Sequence, residues 1–354
     1  TLFCNMPHVL FRVNAGKKVG MGHLARCMSI AGKISDFSAT SFMVSTDSRI
    51  SVETFIRQHT AGFNIERLLF IGALKMEDEI ELLIRFLHEN NAYLVLDHYE
   101  VNEEYQLCLK KQGIHWFQLD SHARQVFYAD YVHHGSPGAT KERYQNLQGE
   151  TSTEFLLGTS YIIVDDNFSR YHKMAKAREH VRHILVSFGG GDARGALRKY
   201  LPELLQTFPE IKFHIIVRGN NRDIELLKET VASVKNAELH IDCNCVAEIM
   251  LFCDLAILAP GGMSYEAATL GLPMILIAIE DNQYINLQGC SEMGIARSLG
   301  IIDQVTPRKL CDEVSDVVHD SESLLSMSSR ALKEFDGRGT ERIRDIFKRK
   351  IFKI

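Results

Sequence analysis

No apolar run in this chain approaches the roughly 20 residues that a membrane-spanning helix needs, so stable membrane insertion is not expected. The opening residues, Thr1-Leu2-Phe3-Cys4-Asn5, lack the basic segment and apolar stretch of a secretory signal, and a cytoplasmic location is the expectation. Eight cysteines are scattered without any Cys-x-x-Cys, which suits reduced, buried thiols. Neither the close pair Cys243-Asn244-Cys245 nor the tandem His133-His134 shows metal-ligand spacing, so no metal and no cofactor are expected. Positive charge is also short. Against 45 Asp and Glu stand 40 Lys and Arg, a net charge of -5 that supplies no field for neutralising nucleic-acid phosphates. The basic run Lys348-Arg349-Lys350 reads as the solvated face of a last helix. Internal repeats, the dinucleotide fingerprint and the Walker loop are all missing.

What remains is an ordinary globular mix, 45% hydrophobic and 24% charged over 354 residues, enough for two domains. Short apolar runs alternate with helical patterns, as buried parallel strands and their crossover helices do. In the first half the strand candidates are 8–13, 41–45, 67–71, 93–97, 115–119 and 129–133; in the second half they are 183–188, 212–218, 238–241, 254–259 and 274–278. These predict an α/β protein of two Rossmann-like doubly wound lobes facing a cleft, with ligands at the C-terminal ends of the strands. The expected division is an N-terminal lobe at 1–165, a polar link at 166–182 and a C-terminal lobe at 183–354, closed by a helical stretch over 323–347 that Gly337-Arg338-Gly339 breaks.

Four segments carry candidate chemistry. After the first strand, which ends near Val13 just before Asn14, comes Gly20-Met21-Gly22-His23-Leu24-Ala25-Arg26, with Leu24, Cys27, Met28, Ala31 and Ile34 at helical spacing. A helix N-terminus disfavours a protonated imidazole, which would leave His23 free to act as a base; equally, the glycines shape a turn that His23 caps. The fourth strand delivers Asp97-His98-Tyr99 at its C-terminal end, where site residues of such sheets belong, although Asp97 also suits a helix cap. Ser187-Phe188-Gly189-Gly190-Gly191-Asp192 is a strand, a glycine turn and a helix with Leu197, Leu201, Leu204 and Leu205 on one face. Three glycines let the backbone approach a diphosphate, whereas Asp192 as an N-cap is the plainer reading. Pro260-Gly261-Gly262-Met263-Ser264-Tyr265-Glu266 repeats the unit with a carboxylate expected in the first helical turn. There Glu266 could accept a ribose diol while Ser264 and backbone N–H groups face phosphate, or Glu266 could simply complement its own helix dipole. Glu280-Asp281-Asn282-Gln283 again ends a strand in polar side chains.

Taken in order, Gly-x-Gly-His-x-x-Arg, Asp-His-Tyr, Leu156-Leu157-Gly158-Thr159-Ser160-Tyr161, Ser-Phe-Gly-Gly-x-Asp, Gly-Gly-x-Ser-x-Glu and Asn-Gln resemble the UDP-sugar hydrolase family of pseudaminic acid synthesis over almost the whole chain. That family acts on a UDP-linked diacetamido-trideoxyhexose and is related to the two-lobed GT-B glycosyltransferases, including the lipid II synthase MurG. The resemblance implies His23 as catalytic residue and Asn14, Gly20, Met21, Gly22, Arg26, Asp97 and Tyr99 on the sugar side. It implies Gly189, Gly190, Gly191, Arg218, Gly262, Ser264, Tyr265, Glu266, Asn282 and Gln283 on the nucleotide side. The reaction implied is metal-independent attack of water on the anomeric carbon with release of UDP, by a monomer or weak dimer whose partners are the UDP-sugar and UDP. The chain departs from the family at Asn14 and Ser121, where the family carries Asp, and at Val164-Asp165-Asp166, where it is more basic. Two other functions fit the same loops: a GT-B transferase giving the sugar to an alcohol, and a non-catalytic UDP-sugar sensor or scaffold.

Overall fold

The computed structural model describes residues 6–16, 19–60, 62–150, 152–189, 192 and 194–354, in two compact units. The first unit takes the described residues through Gly135 together with Ala139–Ile163 and Arg338–Ile354; the second takes Ser136–Gly138 and the described residues of Val164–Gly337.

The first unit is built on seven parallel strands: β1 (His8–Asn14), β2 (Ala39–Ser45), β3 (Arg67–Ile71), β4 (Ala92–Asp97), β5 (Trp116–Leu119), β6 (Tyr131–His134) and β7 (Glu154–Leu157), in the order β3-β2-β1-β4-β5-β6-β7. The second is built on six: β8 (His183–Ser187), β9 (Lys212–Val217), β10 (Ala237–Ile241), β11 (Leu255–Leu258), β12 (Met274–Ala278) and β13 (Ala296–Ile301), in the order β10-β9-β8-β11-β12-β13. Both are doubly wound sheets of the expected class, and in each the order reverses between the first and fourth strands, the place where such sheets bind ligands. The sequence reading omits β7 and β13. Both are edge strands that lack the long continuous apolar run of a buried strand: β13 reads Ala-Arg-Ser-Leu-Gly-Ile and β7 only Glu-Phe-Leu-Leu.

Alternation along β1 shows how the first sheet is held. Val9, Phe11 and Val13 enter one apolar cluster and Leu10 the cluster on the other face. Arg12 shares the face of Leu10 and is wholly buried; its Nε and Nη2 donate to the two carboxylate oxygens of Glu79 at 2.8 Å each, and the Tyr105 hydroxyl donates to Glu79 Oε1 at 2.8 Å. This bidentate pairing is what makes a buried guanidinium tolerable.

Two domain expectations are corrected. The last helix, Gly339–Ile346, belongs to the first unit, because Ile343, Ile346 and Phe347 complete the cluster beneath β1 and Arg344 Nε donates to the Lys33 carbonyl at 3.1 Å. Residues 166–182 belong to the second unit rather than forming a free link. Their helix Asp166–His172 buries Phe168, and the His172 ring donates to the Thr269 carbonyl at 2.7 Å. Arg178 there donates to the carbonyls of Leu251 (3.2 Å) and Leu270, which lie one residue before the end of the helix Val246–Phe252 and one residue past the end of Gly262–Thr269, where cations are favoured. The predicted break in the C-terminal helical stretch falls between Ser321–Glu334 and Gly339–Ile346. Among the described residues no helix is long and apolar enough to cross a membrane.

Candidate active site

In the first unit, β1 and β4 end side by side, with Val13 in register with Asp97. After β1 the chain turns at Gly20, whose φ of +82° a side chain would resist, and enters the helix Gly22–Ile34. Leu24, Cys27, Met28, Ala31 and Ile34 bury this helix as their spacing predicts, which places His23 in its first turn over the end of β4.

His23 Nδ1 lies 2.6 Å from Asp97 Oδ1, and since a carboxylate can only accept, the ring donates there; in the neutral form of the ring Nε2 then carries the lone pair. Arg26, one turn on, donates through Nε to Asp97 Oδ2 at 2.7 Å, through Nη2 to Oδ1, and through Nη1 to Ser121 Oγ at 3.0 Å. Burial works to raise the Asp97 carboxyl, but the charges and hydrogen bonds of Arg26 and His23 overcome it and hold Asp97 well below the usual carboxylate range. Tyr99, half exposed, meets His23 edge-on at 4.4 Å between ring centroids, and the His122 ring stands 5.0 Å from Tyr99. These side chains line a cavity of about 380 Å³, with His98, Asp120 and Arg124 also in its wall. A larger surface depression of about 470 Å³ follows a single helix from Asn102 to Lys111 and brings no convergent groups together.

The structure gives several of the expected residues protein partners. Asp97, expected on the sugar side, is 1% exposed, with its carboxylate oxygens held by His23 and Arg26. Met21 packs against the apolar cluster, and no neighbour would obstruct a side chain at Gly22. Asn14 Oδ1 accepts from Arg12 Nη1 at 2.7 Å, so the side chain's remaining capacity is as an N–H donor. His122 and Asp120 lie outside the sequence expectation, although the rule that found Asp97 would have found them: they follow the apolar end of β5. Asp120 Oδ2 accepts from the Tyr144 hydroxyl at 2.5 Å and the Ala123 amide at 2.8 Å. His98 is buried with neither ring nitrogen hydrogen-bonded among the described residues; burial, then the charge of Arg12, pushes its pKa well down.

The second unit has a different character. Beyond β8, Gly189 holds φ +84°, while Gly190 and Gly191 lie outside the described residues. The following helix, Ala196–Thr207, does not open directly from the glycine turn: its N-cap is Gly195 rather than the expected Asp192, whose carboxylate nonetheless accepts from the Ala196 and Leu197 amides at 2.8 Å each. Beyond β11 the turn at Gly261 leads straight into Gly262–Thr269, and the first amides of that helix lack intrahelical acceptors, as every helix start does. Ser264, expected to face phosphate, is instead fully buried, donating to the Gly261 carbonyl at 2.7 Å and accepting from its amide at 3.1 Å. Glu266 sits in the second helical turn rather than the first, which weakens dipole complementation as its reason for being there. Its carboxyl has no hydrogen-bond partner among the described residues, and burial, with the nearby charge of Asp165, raises it to about 7. Tyr265 is partly buried beside it, Arg218 follows β9, and Asn282 is exposed. Gln283 Oε1 accepts from the Ile279 amide at 2.8 Å, a local cap.

No family model matches the chain. Its similar proteins include an uncharacterized protein of Methanocaldococcus jannaschii, 22% identical over 73% of this chain but only 53% of that protein, so the match spans about half of that relative. The spore coat polysaccharide biosynthesis protein SpsG of Bacillus subtilis is 23% identical over 95% of this chain and 96% of its own length. The UDP-2,4-diacetamido-2,4,6-trideoxy-beta-L-altropyranose hydrolase of Campylobacter jejuni is 22% identical over 78% and 93%. Among solved structures, Acinetobacter baumannii MurG matches with a TM-score of 0.68 at 16% identity over 96% of this chain and 99% of that one. S. aureus MnaA in complex with UDP matches at 0.68 and 13% over 99% and 98%, and a UDP-glucosyltransferase from Polygonum tinctorium at 0.69 and 12% over 98% and 99%. These structures share the GT-B fold of two parallel-sheet α/β lobes.

Proposed function

We propose that this chain hydrolyses a UDP-linked amino sugar, with a diacetamido-trideoxyhexose as the sugar class, releasing UDP and the free sugar. The observation that carries the reading is the His23–Asp97 pair: an imidazole at the wall of a 380 Å³ cavity, one nitrogen fixed by a buried carboxylate and the other left as a base. In this reading His23 Nε2 takes a proton from water, the water oxygen bonds to the anomeric carbon, and the bond from that carbon to the diphosphate oxygen breaks. The proton passes from His23 to solvent. Tyr99 and the Asn14 amide contact the sugar. The second unit holds the nucleotide, with Glu266 on the ribose diol and the amides opening Gly262–Thr269 on the departing diphosphate. Similarity to the Campylobacter jejuni hydrolase supports the reaction, and the UDP bound by S. aureus MnaA supports the nucleotide.

The chain's own groups supply what the step needs. Both oxygens of Asp97 are already engaged by His23 and Arg26, and Asp120 by Tyr144 and backbone amides, so the cavity offers no free carboxylate pair for a cation. Incubation with a panel of UDP-amino sugars in excess chelator should release UDP from one of them without any added acceptor. Release that appears only when an alcohol is supplied would make the protein a transferase. No release from any of them, with UDP still bound, would leave a UDP-binding protein and sink the hydrolase reading.

A further inference from the structure

The second unit carries a cluster that neither of its glycine turns uses. His183 on β8, His214 on β9 and His240 on β10 stand on adjacent strands. His214 pairs in register with Leu185 and with Glu238, so His183 and His240, each two residues from a paired position, lie on the same face as His214 and Glu238. The rings stack at 5.4 and 5.5 Å between centroids. His183 Nδ1 is 3.1 Å from His214 Nε2, and His214 Nδ1 is 3.2 Å from His240 Nε2. Glu238 closes the group, its Oε2 3.9 Å from His214 Nδ1 and its Oε1 3.9 Å from His240 Nε2. Phe252 packs edge-on against the buried His214, while Glu238 is exposed and opens the cluster to solvent.

The tautomers fix where the lone pairs point. A neutral imidazole carries one proton, yet both nitrogens of His214 face another imidazole. If Nε2–H donates to His183, the Nδ1 lone pair is turned toward His240 and Glu238. Two atoms about 2.0–2.2 Å from a tetrahedral ion are separated by roughly 3.3–3.6 Å, and the separations of 3.2 and 3.9 Å here bracket that edge length. We propose that His214 Nδ1, His240 Nε2 and the Glu238 carboxylate bind a borderline first-row divalent cation, zinc foremost, with His183 orienting His214 by accepting its Nε2–H. Imidazole nitrogens favour such ions over magnesium, which seeks oxygen ligands. The ion would tie the edge strand β10 to β9, and the site stands independently of the hydrolase reading. Sequence spacing hides it because the ligands are split between two strands, with only Glu238-x-His240 adjacent.

The test is calorimetric titration of chelator-stripped, dialysed full-length protein with zinc chloride, alongside cobalt absorption spectra and melting curves. One equivalent of zinc should bind, raise the melting temperature, and be matched by one cobalt with the intense visible bands of a tetrahedral site; magnesium chloride should do neither. His240→Gln and Glu238→Gln alter side chains that reach solvent and should melt normally without zinc. Each should weaken zinc binding by at least the roughly tenfold that even an outer partner is worth, and His183→Gln by about that amount. Failure of the parent protein to bind an equivalent of zinc, or equal binding by parent, H240Q and E238Q, overturns the site and leaves the histidines as an N–H···N chain.

Discussion

The two sheets run in the same order around their first and fourth strands, yet what stands beyond those strands differs in kind. In the first unit the turn after β1 and the end of β4 bring together His23, Arg26, Asp97 and Tyr99, groups that move protons or carry charge. In the second unit the corresponding positions, after β8 and β11, hold glycine turns and a helix start, where the donors are backbone amides; the Asp192 carboxyl is taken by two of them and that of Glu266 is left over. In the proposed reading one topology is equipped twice, once for reaction and once for holding an anion and a diol. The contrast also assigns costs. Burying Asp97 is tolerable only because Arg26 and His23 answer its charge, whereas Glu266 is left unanswered and its raised pKa shows it.

The sharpest way to break that comparison is His23→Asn. If the first unit supplies the base, turnover of the UDP-sugar should fall by roughly 10²–10⁴-fold while UDP affinity holds, because no nucleotide contact is removed. Near-normal turnover with a lowered melting temperature would make His23 a cap and the first unit no more reactive than the second. Asp97→Asn comes next and should act on stability as well as rate: leaving the partly buried Arg26 charge unanswered costs about 3 kcal/mol, the low end for a broken buried pair. Because the folded pKa of Asp97 lies below its ordinary 3.8, its stabilisation is complete above that value and is lost as pH falls further. Acid melting below about pH 3.8 should therefore be steeper in the parent than in D97N. A smaller effect belongs to Glu266→Gln, which should weaken UDP by about 1–3 kcal/mol. A carboxylate accepts a diol better than a carboxylic acid does, so parent affinity should rise with pH through about 7, and that rise should be absent in E266Q once the phosphate's own titration, common to both, is subtracted. Equal pH slopes in the two proteins would remove Glu266 from the ribose.

Much of this contrast was legible before any coordinates. Eleven strands announce themselves in the sequence, most of them because parallel strands are buried on both faces and read as apolar runs, while β13, Ala-Arg-Ser-Leu-Gly-Ile, carries no such run and β7 is only four residues long. That His23, Asp97 and Tyr99 come together was legible because polar residues that close an apolar strand, or open the helix after it, gather at the C-terminal edge of such a sheet. What the sequence hides is partnership at a distance. That Arg12 answers Glu79, 67 positions away, or that the last helix returns to the first unit, depends on long-range packing that no local pattern encodes. Local partners were hidden for the same reason: the Asp97 carboxylate is held by His23 and Arg26, and the Ser264 hydroxyl by its own turn.

Ser264 gives the finest test of the comparison. If the second unit holds its anion with backbone amides alone, the hydroxyl should be expendable for binding. Its two bonds to Gly261, at 2.7 and 3.1 Å, act on the turn that aims those amides, so Ser264→Ala should lower stability by about 1 kcal/mol, as loss of a helix cap does. UDP affinity should stay within about twofold of the parent, because the first amides of Gly262–Thr269 remain in place and the removed group is fully buried. Melting curves with and without UDP on one variant separate the two effects, since a ligand that binds equally well shifts both proteins by the same increment. A parent-like melting temperature with a reduced UDP increment would mean that the hydroxyl leaves Gly261 for the phosphate when ligand arrives. The second unit would then, like the first, use a side chain in its work, and the division between them would be one of degree.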